Sequence, residues 1–131
     1  MAKLEKYGGN PNCLIATPEI NVYTLTDETD FILLGSDGIY DHLDNKQIKA
    51  VVQNESREHS ETMSEEIKSG SFEHVVACCS ASVNGVLRSA MESESTDNLS
   101  VVLLTFKHFQ QVISQFEPVY TSKKKQMTES S

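Results

Sequence analysis

Hydrophobic and polar positions follow three rhythms along this chain. Phe31-Ile32-Leu33-Leu34 is a short continuous apolar run, which predicts a central strand buried on both faces. Leu99 to Phe106 predicts the last strand. Upstream, Ile20, Val22 and Thr24 alternate with Asn21, Tyr23 and Leu25, a strand with both faces partly covered. With the polar, turn-rich Thr26 to Asp30 between them, residues 20 to 36 read as a hairpin. Cys13 to Ala16 is a candidate short strand, preceded by the turn signal Tyr7-Gly-Gly-Asn-Pro11 and interrupted by Pro18-Glu19.

The third rhythm is helical. Asp44 or Asn45 can cap a helix, because a short side-chain oxygen accepts from the free N–H groups of the first turn; Ile48, Val51 and Val52 then share one face. Gln53 to Ser71 is polar and reads as an exposed helix extension or a loop. Phe72, Val75, Val76, Cys79, Val83, Val86, Leu87 and Ala90 recur at three- and four-residue spacing, which predicts one buried stripe on a long helix from Phe72 to Met91. Gly85 interrupts it at a cost of about 1 kcal/mol relative to Ala and marks a place of close packing. Phe109, Val112, Ile113 and Phe116 predict a short amphipathic helix over 107–117, and the polar 118–131, with Lys123-Lys124-Lys125, reads as a disordered, solvated tail. No internal repeat is visible.

At 131 residues the chain suits one domain with a modest core. No apolar run approaches the roughly 20 residues that span a bilayer. The charged Met1-Ala2-Lys3-Leu4-Glu5-Lys6 start does not read as a signal peptide. A soluble protein of the cytoplasm or nucleus is expected. The 3 cysteines (Cys13, Cys78, Cys79) lack any CxxC spacing, and adjacent thiols chelate poorly, so zinc is disfavoured and free thiols are expected. The net charge of -8 repels phosphate backbones and argues against nucleic-acid partners. A phosphorylated substrate would need a cation at its binding site, and a metal held by carboxylates supplies one.

That points to Asp37 and Asp97. Each lies where an apolar run meets a loop, in Gly35-Ser36-Asp37-Gly38-Ile39-Tyr40-Asp41 and in Ser95-Thr96-Asp97-Asn98-Leu99-Ser100. Strand ends hold side chains rigidly yet open to solvent, and Mg²⁺ and Mn²⁺ favour a few carboxylates plus waters. Asp-Gly and Asp-Asn are also ordinary turn pairs, so from pattern alone a plain turn competes with a metal site. There is no EF-hand spacing. The four histidines (His42, His59, His74, His108) are scattered and read as surface or satisfied-core residues.

Phe31 to Asp41 resembles the Asp-Gly-(Ile/Leu)-(Trp/Tyr)-Asp signature of the metal-dependent protein phosphatases (PPM, type 2C), and Ser95 to Leu104 resembles that family's closing Asp-Asn-x-Ser signature. Gly8-Gly9-Asn10-Pro11 followed by Ala16-Thr17-Pro18-Glu19-Ile20 is similar to the segment preceding the first. The likeness spans roughly residues 2 to 106 and implies the C-terminal part of a catalytic domain over 1–106. It implies an α+β fold, part of an α-β-β-α sandwich of two antiparallel sheets flanked by helices. It also implies a two-metal Mn²⁺ or Mg²⁺ centre whose bridged water attacks phosphoserine or phosphothreonine in a phosphoprotein. On this likeness Asp37 and Asp97 are metal ligands, Gly38 gives a supporting tight turn, Asn98 braces its loop, Asp41 has a cap or turn role, and Tyr40 packs in the core. The family's upstream acidic motif, its Asp-Gly-His-Gly-Gly motif and its phosphate-binding Arg do not occur in these residues. The expectation is therefore a C-terminal portion whose centre is completed by the missing N-terminal part and which is inactive alone. The alternative is a non-catalytic phosphatase-like binding module acting through its sheet face or through Gln53 to Ser71.

Overall fold

The structure, a computed structural model, describes residues 8, 15–63 and 66–116. Its elements run β1 (Phe31–Gly35), the one-turn helix α1 (Asp37–Tyr40), α2 (Asn45–Thr62), α3 (Phe72–Glu92), β2 (Val101–Thr105) and α4 (Lys107–Ile113). The two strands pair antiparallel, with Phe31 opposite Thr105, Leu33 opposite Leu103 and Gly35 opposite Val101. This is an α+β arrangement with one two-stranded sheet among the described residues.

The pleat sends successive side chains to opposite faces. Phe31, Leu33 and Val101 turn inward against a core of Ile39, Leu43, Ile48, Val52, Val86, Ala90, Phe109 and Ile113. Full burial of such a side chain contributes about 1.5–3 kcal/mol. Ile32, Leu34, Val102 and Leu104 turn the other way and are exposed, Leu34 by 62%. The strands are thus covered on one face, and β1 is not covered on two as its continuous apolar run predicts, because the helices pack on one side only.

The 20–36 hairpin does not form. Residues 15–25 are irregular and exposed, with Val22 at 92%. A turn closes at Thr26–Thr29, where Thr29 N–H donates to Thr26 O at 3.0 Å. Ile20 to Leu25 has the right alternation but, among the described residues, no strand beside it to accept its hydrogen bonds, and β1 takes β2 instead. Cys13 and Leu14 of the other candidate strand lie outside the described residues, as do 117 and the tail 118–131.

The helices form where expected. Asp44 caps α2 through a reciprocal box: its carboxylate accepts from Gln47 N–H at 2.8 Å, and Gln47 Oε1 accepts from Asp44 N–H at 2.8 Å. Such a cap contributes about 1 kcal/mol. Ile48 and Val52 are buried, and the polar continuation stays helical to Thr62.

Helix α3 differs from its predicted stripe. Its buried residues are His74, Cys78, Ser82, Gly85, Val86 and Ala90, whereas Phe72 is 78% and Val76 44% exposed. The face meeting α2 is lined by small residues, which let the two backbones approach. Ser82 Oγ donates to Cys78 O at 2.8 Å and sits 3.2 Å from Val52 O; Cys78 Sγ–H points to Ser56 O at 3.5 Å. Gly85 lies under Glu55, whose Cγ is 2.5 Å from where a Cβ would stand; Glu55 pairs with Arg88. The larger apolar residues lie beside this seam, toward β2. Burial pushes the Cys78 thiol up to about 11, so it stays protonated at neutral pH.

His74 fastens the far end of the helical layer. Gly70 N–H donates to its Nδ1 at 2.7 Å, which makes Nδ1 the acceptor and puts the proton on Nε2. Nε2–H then meets Ser60 Oγ at 2.9 Å, and Ser60 O–H passes on to Ile113 O at 3.0 Å. One neutral imidazole therefore joins α2, the turn before α3, and α4. Among the described residues no buried side-chain polar atom lacks a partner. Burial holds the His74 pKa below the usual 6.5, and nearby His59 adds to the shift. The unfolded chain takes up this proton first as pH falls, so the stability contributed is present above pH 6.5 and is lost on acidification. The unfolding midpoint followed by circular dichroism is expected to fall below pH 6.5 more steeply in the wild-type chain than in His74→Gln. Parallel profiles would contradict the assignment.

Candidate functional site

The chain leaves β1 at Gly35 and enters α1 at once, with Ser36 as N-cap and Asp37 as its first residue. On the other side it leaves α3 through Ser93, with Glu94 N–H bonding to Met91 O at 3.1 Å and Ser95 N–H to Ala90 O at 3.2 Å. This is a Schellman closure, and Glu94 takes the left-handed position (φ 64°). It turns the chain into the loop that carries Asp97 and then into β2. Because β1 and β2 pair antiparallel, the end of one and the start of the other are neighbours.

The two loops are fastened together. Ser36 N–H donates to Ser100 O at 3.0 Å, and Ser100 N–H returns to Ser36 Oγ at 3.1 Å. Ser36 O–H donates to Asn98 O at 3.0 Å across 62 positions of sequence. Ser95 O–H donates to Gly38 O at 3.0 Å. Each net bond of this kind contributes roughly 0.5–1.5 kcal/mol.

Asp37 and Asp97 both stand exposed on these loops. Each carboxylate accepts through Oδ1 from the next backbone N–H, Gly38 at 3.0 Å and Asn98 at 2.7 Å. Among the described residues the second oxygen of each accepts from no donor, so both keep acceptor capacity for a cation. Carboxylate oxygens from two rigid loops suit Mg²⁺ or Mn²⁺ in donor type. Among the described residues no group of three or more His, Cys, Asp or Glu gathers at one point. The site seen here is thus a pair of carboxylates, not a complete ligand cage.

Gly38 acts through its missing side chain. Its backbone lies in the one-turn helix α1 that turns the chain directly after β1, with φ outside the left-handed region. A Cβ would stand 2.8 Å from Asn98 O and 3.3 Å from Asp97 Cβ. Glycine is needed because the second loop packs directly onto it. Asn98 braces its loop through its backbone groups, as just described. Asp41 closes α1, its N–H bonding to Asp37 O at 2.8 Å. Tyr40 is half exposed instead of buried, lies over Gly35, and donates its hydroxyl to Leu33 O at 3.1 Å. His42 is exposed, and His108 pairs with Asp30 at 2.5 Å where α4 meets the start of β1. Sequence reasoning passed over Ser36, Ser95 and Ser100. The available signal was a serine within two residues of each Asp pair, Ser36 before Asp37-Gly38 and Ser95 and Ser100 on either side of Asp97-Asn98.

Gly38→Ala is expected to destabilise the fold by about 1–3 kcal/mol, the scale of overpacking against a fixed backbone atom. Urea unfolding tests this, and an unchanged midpoint would contradict the close approach.

A family model described as Protein phosphatase 2C matches residues 3–99. Among curated relatives, Probable protein phosphatase 2C 54 of Oryza sativa subsp. japonica is 31% identical over 102 residues, covering 77% of this chain and 24% of that protein. Probable protein phosphatase 2C 27 of the same organism is 28% identical over 103 residues, 79% of this chain and 24% of that protein. Protein phosphatase 2C 57 of Arabidopsis thaliana is 27% identical over 90 residues, 69% of this chain and 19% of that protein. The chain spans about a quarter of the length of the curated relatives it matches first. No solved structure matches it. The matched span contains both interlocked Asp loops, and the chain belongs to the protein phosphatase 2C family.

Proposed function

We propose that this chain supplies Asp37 and Asp97 to the Mn²⁺ or Mg²⁺ centre of a protein phosphatase that hydrolyses phosphoserine and phosphothreonine. The observation that carries this reading is the fastening of the Asp37 loop to the Asp97 loop by Ser36, Ser95 and Ser100. It leaves two exposed carboxylates on one rigid edge of the sheet. Asp37 and Asp97 would hold a divalent cation there, which would supply a bound water of lowered pKa and positive charge to balance that developing on phosphoryl oxygens. The chain's own contribution is positional: it orients the carboxylates that would hold the cation, and the cation's charge would offset the repulsion that the chain's net charge of -8 exerts on a phosphorylated substrate. The other ligands the family uses, from an acidic motif and an Asp-Gly-His-Gly-Gly motif, come from polypeptide outside these residues.

The bare outer face of β1 and β2, with Ile32, Leu34, Val102 and Leu104 exposed, supports the same reading. In an α-β-β-α sandwich it is the inner face of one sheet, and the second sheet comes from the remainder of the domain. On this view residues 1–106 are the C-terminal part of the catalytic domain, 107–117 a flanking helical segment and 118–131 a polar tail. Among the described residues no helix is long and apolar enough to cross a membrane. We place the protein in the cytoplasm or nucleus, and this chain alone is inactive. The same bare face favours a second reading, a non-catalytic phosphatase-like module that binds a partner there.

In the phosphatase that carries this chain, Asp37→Asn and Asp97→Asn are each expected to slow Mn²⁺-dependent hydrolysis of a phosphothreonine peptide by at least ~10²-fold, the scale of losing one electrostatic group from an active site. The unfolding midpoint should hardly move. Unchanged rates in both variants would overturn the catalytic reading in favour of the binding module.

A further inference from the structure

We infer that Ser36 and Ser95 are positioning residues that set the two carboxylates for a shared divalent cation; this rests on the metal reading of Asp37 and Asp97. The two serines bracket the pair from opposite sides. Ser36 immediately precedes Asp37, and its hydroxyl takes hold of Asn98 O and Ser100 N, beyond Asp97 in the second loop. Ser95 lies just before Asp97, and its hydroxyl takes hold of Gly38 O, the residue after Asp37. Each Asp therefore sits between two residues bonded to the other's loop.

The hydroxyls are suited to this because each bonds peptide groups and leaves the carboxylates alone. Ser36 does so as donor and acceptor at once, so it fixes both the carbonyl of residue 98 and the N–H of residue 100. Mg²⁺ and Mn²⁺ accept oxygen ligands in a narrow range of distance, so small loop displacements cost affinity. A second constraint points the same way. Asn98 O lies close enough to Gly38 that no side chain fits between them. The contact that Ser36 holds is therefore the one that sets the loop spacing.

The test is Mn²⁺ affinity of the phosphatase that carries this chain, read from free Mn²⁺ by electron paramagnetic resonance, with the unfolding midpoint measured on the same samples. Ser36→Ala and Ser95→Ala are each expected to weaken Mn²⁺ binding by roughly 10–100-fold, the scale for groups that orient metal ligands. Ser36→Thr, which keeps the hydroxyl, should retain affinity. Ser82→Ala, which removes a buried hydroxyl between α2 and α3, should lower the midpoint and leave Mn²⁺ affinity unchanged. If both Ala variants bind Mn²⁺ as the wild type does while Asp37→Asn and Asp97→Asn do not, the positioning role is wrong and the metal reading stands. If the wild type fails to bind Mn²⁺, or the Asn variants bind it equally well, the metal reading falls and takes this inference with it. Should Ser36→Ala not fold, Ser95→Ala, which loses one bond to one carbonyl, decides alone.

Discussion

Antiparallel pairing of β1 with β2 is the constraint on which the rest of the molecule depends. It joins segments from opposite ends of the described chain, so its loop-closure cost is met only because the helices between them pack. Once Gly35 stands opposite Val101, the chain just after β1 and the chain just before β2 are adjacent. Both Asp-bearing loops occur at that edge. The pairing thus turns two remote sequence signatures into one local arrangement, and the serine hydroxyls and the gap at Gly38 refine it.

The helices hold this pairing in a particular way. Between α2 and α3 the seam is made from Ser56, Ser60, Cys78, Ser82 and Gly85, with the polar groups satisfied by backbone carbonyls or by His74. Small residues allow close approach, and satisfied hydroxyls remove the penalty of burying them. Ile39, Val86, Ala90, Phe109 and Ile113 then fill the space between the helices and the inner face of the sheet. Among the described residues the outer face has no such layer, and Ile32, Leu34, Val102 and Leu104 stay exposed there.

What was legible in the sequence follows from what is local. The Asp44 cap, the long helix starting at Phe72 and the strand at Val101 rest on nearest-neighbour chemistry, and they stand where patterning puts them. Asp37 and Asp97 were visible because one lies just after an apolar run and the other just before one. The hairpin at 20–36 was not decidable from alternation, since Ile20 to Leu25 needs a partner strand that the described residues do not offer. The stripe on α3 was misread because hydropathy gives no weight to Ser82, Gly85 or a neutral His74, which occupy the tightest contact. Burial of both strand faces failed for a related reason: a continuous apolar run reports that two faces are to be covered, not that the covering is present in these residues. The roles of Ser36 and Ser95 were illegible because their bonds reach across more than fifty positions.

The most direct measurement is paramagnetic broadening of amide resonances when substoichiometric Mn²⁺ is added to the ¹⁵N-labelled phosphatase that carries this chain. A cation shared by Asp37 and Asp97 broadens the amides of Gly38 and Asn98 together, at the same metal concentration, while those along the α2–α3 seam at Val52 and Ser82 stay sharp. Broadening at only one loop, or spread over acidic residues elsewhere on the surface, would contradict a single site built from both.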